Sequence, residues 1–210
     1  MRKISTLTKG TLVTGAAFAA ALALAASPAS AAGTWSVAGG GSITAVSTNT
    51  LLTDTSTGVQ LKCVTSDATG NAADGTGLAG DGLASITGVT WDSCTGPLNI
   101  QFDVTADNTP WQINATSYSN GVTTGTLTGV EANTSGLGCT ADFGGASAGT
   151  PATLDVTYTN ATHTLTLLGT GNLHAYNVSG TCLGLLNSGD PASYVGDYVV
   201  SPSTLTITSP

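Results

Sequence analysis

From Trp35 onward, apolar and polar positions alternate in short runs bounded by Gly, Asn, Asp, Ser and Pro. Leu98, Ile100, Phe102 and Val104 interleave with Asn99, Gln101, Asp103 and Thr105. Trp111, Ile113 and Ala115 do the same with Gln112, Asn114 and Thr116, and Leu154, Val156 and Tyr158 with Asp155, Thr157 and Thr159. Near the C-terminus, Leu205 and Ile207 alternate with Thr204, Thr206 and Thr208. A period of two with one polar face describes half-buried antiparallel strands. No ten-residue stretch after the N-terminal segment has a helical period, and the best helical turn is Cys182 to Leu186. About twelve or more short strands predict an all-β fold, either an antiparallel β-sandwich or a closed barrel, with the sandwich as the working expectation. The Gly-, Ala- and Asp-rich stretch from Asp67 to Gly82 reads as a long loop, and Gly144 to Pro151 as a second.

The first residues follow a different rule. Arg2, Lys3 and Lys9 flank an apolar run from Leu12 to Ala26, followed by Pro28 and then Ala29-Ser30-Ala31. This is the layout of a secretory signal spanning residues 1–31, cleaved after Ala31. The run is shorter than the ~20 residues that span a bilayer, so no membrane association is expected after cleavage. Residues 32–210 then form a single extracellular domain. Ile86-Thr87-Gly88-Val89 and Leu127-Thr128-Gly129-Val130 echo each other ahead of Cys94 and Cys139, which suggests two similar halves, about 32–120 and 121–210.

Four Cys with no C-x-x-C pair, in an exported chain, read as two disulfides rather than a zinc or redox site. Three pairings are open. The echo gives each half two Cys and favours Cys63–Cys94 with Cys139–Cys182.

Charge narrows the function. The chain carries four Lys and Arg against twelve Asp and Glu. Without the signal, Lys62 alone faces twelve acids, a formal charge of −11. Phosphate recognition needs Lys and Arg, so nucleic acid is excluded as a partner, and anionic lipid is disfavoured. The hydrophobic share of 40% is enough to bury a core.

The layout resembles small secreted, four-cysteine, Thr/Gly-rich all-β proteins of actinobacteria. The stretches that carry the likeness are LLTDTSTGVQLKC (51–63), TTGTLTGV (123–130) and NSGDPASYVGDYVVSP (187–202). The resemblance implies a compartment and a fold class, and it brings no catalytic residues.

Three chemistries have candidate residues. Gly145-Ala146-Ser147-Ala148-Gly149 spells a serine-hydrolase elbow, with His163 or His174 as base and Asp142, Asp155 or Asp190 to orient it. Thr150-Pro151 follows, however, and a regular helix cannot run through that Pro. His163 would share a strand face with Leu165 and Leu167, and His174 with Tyr176 and Val178. Asp67, Asn71, Asp74 and Asp81 offer hard oxygen ligands to calcium, without EF-hand spacing. Trp35, Trp91 and Trp111 could form a flat platform for polysaccharide or cell wall, although large aromatics are usually buried. The expectation is therefore a secreted, monomeric, non-catalytic binding protein without a cofactor. A small serine hydrolase using Ser147 and a carbohydrate-binding module are the alternatives.

Overall fold

Alternation becomes antiparallel pairing over nearly all of residues 34–210, which the computed structural model describes. The signal predicted for residues 1–31, and its cleavage point, lie outside the described residues. The strands run in chain order as β1 (Trp35–Ala38), β2 (Gly41–Ser47), β3 (Thr50–Asp54), β4 (Gln60–Cys63), β5 (Thr65–Ala72) and β6 (Gly75–Leu78). Next come β7 (Ala84–Asp92), β8 (Cys94–Thr95), β9 (Gln101–Asp107), β10 (Trp111–Ser119), β11 (Val122–Gly136) and β12 (Cys139–Gly144). The last are β13 (Ala152–Thr159), β14 (Thr164–Gly171), β15 (His174–Gly180), β16 (Ala192–Ser201) and β17 (Thr206–Thr208).

Most of these strands are halves of longer staves broken by a kink. β2 continues into β3, β4 into β5, β7 into β8, β9 into β10, β12 into β13, and β14 into β15, while β11 and β16 run unbroken. The resulting eight staves pair in chain order, each with the next. β16 then pairs with both β2 and β3 and closes the ring. The architecture is an eight-stave up-and-down barrel, the size at which an interior is filled by side chains or holds one small ligand. The closed barrel, not the sandwich, is the solution this sequence adopts.

Kinks and bulges allow each stave to keep its apolar side inward. In β11, Thr128 pairs with Thr153 but Val130 with Ala152, leaving Gly129 (φ 86°) as the extra residue. Inward positions accordingly change from Thr123, Gly125 and Leu127 to Val130, Ala132 and Thr134. In β7, Thr87 is the extra residue, and the inward set moves from Ala84 and Ile86 to Val89 and Trp91. A bulge changes which parity faces in, because the side-chain period is two. Each of the two echoing tetrapeptides carries one of these bulges.

One end of the barrel is plugged. β1 lies between β17 and β6 in a separate three-stranded sheet, and Trp35 and Val37 of β1 with Ile207 of β17 are buried against the barrel core. The Tyr158 hydroxyl donates to the Leu205 carbonyl at 2.9 Å, and Asn160 exchanges two hydrogen bonds with the backbone of Ile207. The opposite end carries both disulfides, Cys63–Cys94 and Cys139–Cys182, each pinning neighbouring staves.

Two local readings are corrected. Most of Asp67 to Gly82 is strand, in β5 and β6, not a long loop. Its inward row is Ser66, Ala68, Gly70 and Ala72, residues too small to register as an apolar face. Leu98 does not continue the strand of Phe102 and Val104. It sits in a single 3-10 turn, Pro97–Asn99, with φ 59°. Gly144 to Pro151 is largely the turn expected, and the short helical element near Cys182 is a 3-10 turn, Cys182–Gly184.

Candidate functional site

All eight staves contribute to the wall of the lumen, and nearly every contributing atom is apolar. The inward rows meet as Leu127 and Val130 from β11, Leu165 and Leu167 from β14, and Ile86 and Val89 from β7. Ala45 and Ala68 stand among these larger side chains, and the packing leaves a cavity of about 80 Å³. That exceeds the space one water needs, but an apolar wall gives water few partners, and such cavities stay dry or take apolar guests.

One polar thread crosses this wall. The Trp91 indole N–H donates to the Tyr194 hydroxyl at 2.7 Å, which lies 2.7 Å from the Tyr198 hydroxyl, which in turn donates to Ser66 Oγ at 2.8 Å. Trp111 stacks obliquely on Trp91 at 6.5 Å, and its own N–H is taken by the Asp107 carbonyl at 3.0 Å. Burial pushes the Tyr198 hydroxyl well above its ordinary pKa, and the neighbouring Tyr194 adds to the rise. Burial alone raises Tyr158, beside the plug, to about 12.

At the disulfide-bearing end the lumen adjoins a second cavity of about 70 Å³, the mouth. The two share Leu52, Leu61, Thr134 and Phe143 as walls. The outer rim, made by Leu137, Leu183 and the Pro97–Asn99 turn that carries Leu98, is apolar where a protein surface is ordinarily more polar. Leu98 is 83% exposed, Leu137 85% and Leu183 51%. Leu98 lies four residues after Cys94, Leu137 two before Cys139, and Leu183 directly after Cys182, so the disulfides hold all three. Leu98 and Leu183 also adopt left-handed backbone angles, φ 59° and 55°, which are uncommon for a residue with a Cβ.

β3 links lumen to mouth. Thr50 lines the lumen, Leu52 both cavities and Asp54 the mouth, all on the inward face. Thr50 is 1% exposed and Asp54 4%. The Asp54 Oδ1 accepts the backbone N–H groups of Ser56 and Thr57 at 2.7 and 3.1 Å, which shapes the β3–β4 turn. Asp54 Oδ2 and Thr50 Oγ1 are buried without a hydrogen-bond partner among the described residues.

The residues singled out from the sequence fall elsewhere. Ser147 is exposed in the turn between β12 and β13, where its N–H and carbonyl bond to the Thr150 side chain. His163 is not on a strand face with Leu165. It occupies the turn before β14 with φ 52°, its Nδ1 3.3 Å from the Leu205 carbonyl at the plugged end. His174 is on β15 opposite Gly144, with Nδ1 2.8 Å from the Asn172 carbonyl. It lies beside Tyr176 on the side away from buried Ala175, while Val178 packs inward beyond an irregularity at Asn177. Asp155 accepts from Thr170, Asp142 from Asn133 and Asn177, and Asp190 from Asn187. Among the described residues no hydrogen bond joins Ser147 to either His, or either His to these acids.

The other two candidate sets are also dispersed. Asp67 and Asn71 face outward on β5, with Asp74 and Asp81 in the turns around β6. Among the described residues no group of three or more His, Cys, Asp and Glu side chains is arranged to hold a metal ion. Trp35 and Trp111 are each only 4% exposed, and Trp91 packs against the core. The three therefore form no exposed platform, because each belongs to an inward row.

Sequence reasoning missed Thr50, Asp54 and the three rim leucines. A signal for the leucines was present, since each stands in a Gly- or Pro-bearing turn beside a disulfide Cys. No family model, curated protein or solved structure matches this chain.

Proposed function

We propose that the protein is a secreted, non-catalytic binding barrel that holds one small apolar molecule in its lumen. The observation that carries this reading is the cavity itself, walled by apolar side chains from every stave and continued into an apolar mouth. Small-molecule sites are concave, mostly apolar and supplied with few polar groups, and the Trp91–Ser66 thread with the β3 oxygens matches that description. Two disulfides fit an oxidising compartment. The N-terminal signal and the likeness to secreted actinobacterial proteins point the same way. The staves turn Leu, Val and Ile inward and Thr, Ser and Asp largely outward, the reverse of a barrel facing lipid. The dispersal of Ser147, His163 and His174 gives the hydrolase alternative no geometric support.

The test is a titration with xenon, an uncharged apolar probe small enough for the lumen, read by quenching of the Trp91 and Trp111 fluorescence. Saturable uptake of one xenon per chain, abolished by Ala68→Phe, is the expected result. Unsaturable uptake, or uptake unchanged by Ala68→Phe in a folded variant, would overturn the reading.

A further inference from the structure

The mouth holds a charge that the protein leaves half-answered. Asp54 is 4% exposed, its Oδ1 is bonded to two backbone N–H groups, and its Oδ2 is buried with no partner among the described residues. A buried carboxylate oxygen normally has a donor, and leaving one without is costly. The protein has little to offer as a counter-charge. Lys62 is the only Lys or Arg among residues 34–210, and it points outward on β4, away from the lumen. His163 and His174 each have a ring nitrogen at a backbone carbonyl elsewhere. Thr50 Oγ1, also unpartnered, lies on the same inward row of β3. Four residues of strand separate the two oxygens by roughly 13 Å, with Leu52 between them.

We infer that the natural ligand is an amphiphile, with an apolar body in the lumen and a cationic, N–H-donating head on Asp54 Oδ2 at the mouth. This rests on the lumen-binding reading above and adds the class of ligand. The head supplies both the missing donor and the missing positive charge, and the body displaces no polar contact from the apolar wall. An anionic head would meet the Asp54 carboxylate and a formal charge of −11 over residues 34–210. A neutral apolar molecule would leave Oδ2 as it is.

The experiment compares three probes of equal chain length, octylammonium, octanol and octanoate, by calorimetric titration at neutral pH into the disulfide-intact protein. Octylammonium is expected to bind at least tenfold more tightly than octanol, with octanoate weakest. Asp54→Asn should bring octylammonium down to the affinity of octanol while leaving octanol within twofold. Asp67→Asn removes an equal charge from the outer face of β5 and should leave the preference intact. Equal binding of octylammonium and octanol to the unaltered protein would overturn the inference while leaving the lumen reading standing. So would a preference lost equally in Asp67→Asn, which would assign it to net charge. Failure of all three probes to bind would overturn both. The wild-type comparison needs no variant to fold.

Discussion

Trp91 and Tyr194 meet edge to face across the lumen wall, 6.4 Å between ring centres at an interplanar angle of 77°, and the indole N–H rests on the phenol oxygen. Tyr194 is thus the acceptor for Trp91 and the neighbour of Tyr198 in one unbroken thread. Tyr194→Phe leaves the half-buried indole N–H unpaired and detaches Trp91 from Ser66. A loss of about 1–3 kcal/mol is expected in urea unfolding followed by Trp fluorescence. A loss below 0.5 kcal/mol would mean the thread has no structural role.

Alkaline pH should attack the same region. The Tyr198 and Tyr158 hydroxyls are raised above their unfolded values because burial disfavours the phenolate. Stability from a raised group is complete below the unfolded value near 10 and is lost as pH climbs through the folded value. Melting temperature should therefore hold to about pH 10 and fall towards pH 12, with late phenolate absorbance appearing alongside unfolding. Full phenolate absorbance near pH 10 in a still-folded protein would contradict this.

Two glycines of β11 should separate steric from conformational cost. A Cβ at Gly125 would lie 2.0 Å from the Asn114 carbonyl oxygen across the β10 ladder. At Gly129 it would make only ordinary contact with Trp111, but on a backbone at φ 86°. Gly125→Ala is expected to cost about 3 kcal/mol or more, as an overpacked site. Gly129→Ala should cost about 1–2 kcal/mol, from the left-handed conformation alone. Equilibrium denaturation of both variants gives the comparison, and the reverse order would refute it.

The rim leucines predict a trade between stability and binding. Leu98 and Leu183 are exposed and left-handed, so Gly at either position relieves a conformational penalty of about 1–2 kcal/mol against a slightly larger entropy loss than before. Melting temperatures of Leu98→Gly and Leu183→Gly should be unchanged or higher, while uptake of octanol slows or weakens. A clear drop in melting temperature would mean that these side chains pack, despite their exposure.

Either disulfide should matter to stability, with only a logarithmic dependence on the loop it closes. The bridges span 31 and 43 residues, worth about 3.5–4 kcal/mol each in the chain-entropy picture. Cys139→Ser with Cys182→Ser should further loosen Leu137 and Leu183, read as faster hydrogen exchange at the mouth. Exchange unchanged at the mouth would separate the bridge from the rim.

The all-β class and most inward rows were legible because large apolar residues mark alternate positions, as at Leu154, Val156 and Tyr158, while the Cys pairing followed from the echo that gives each half two Cys. The barrel was not. Its closure rests on β16 meeting β2 and β3, a pairing across about 150 residues that no local pattern announces. β5 escaped because Ala68, Gly70 and Ala72 are inward yet small, and His163 was misplaced because β14 begins one residue later, at Thr164, than the pattern suggests. Ser147 and the Asp residues drew attention by spelling. Asp54 did not, since only the folded mouth makes one of its oxygens an orphan.

Closure in chain order also sets a timetable. The outer edge of β2–β3 stays bare from the moment the first stave forms until β16, nearly the last segment, reaches it. During that interval the unfinished sheet offers two free edges, and edges of that kind recruit strands from other chains. Slow, concentration-sensitive folding is the consequence, with dimers exchanging β16 as its characteristic error.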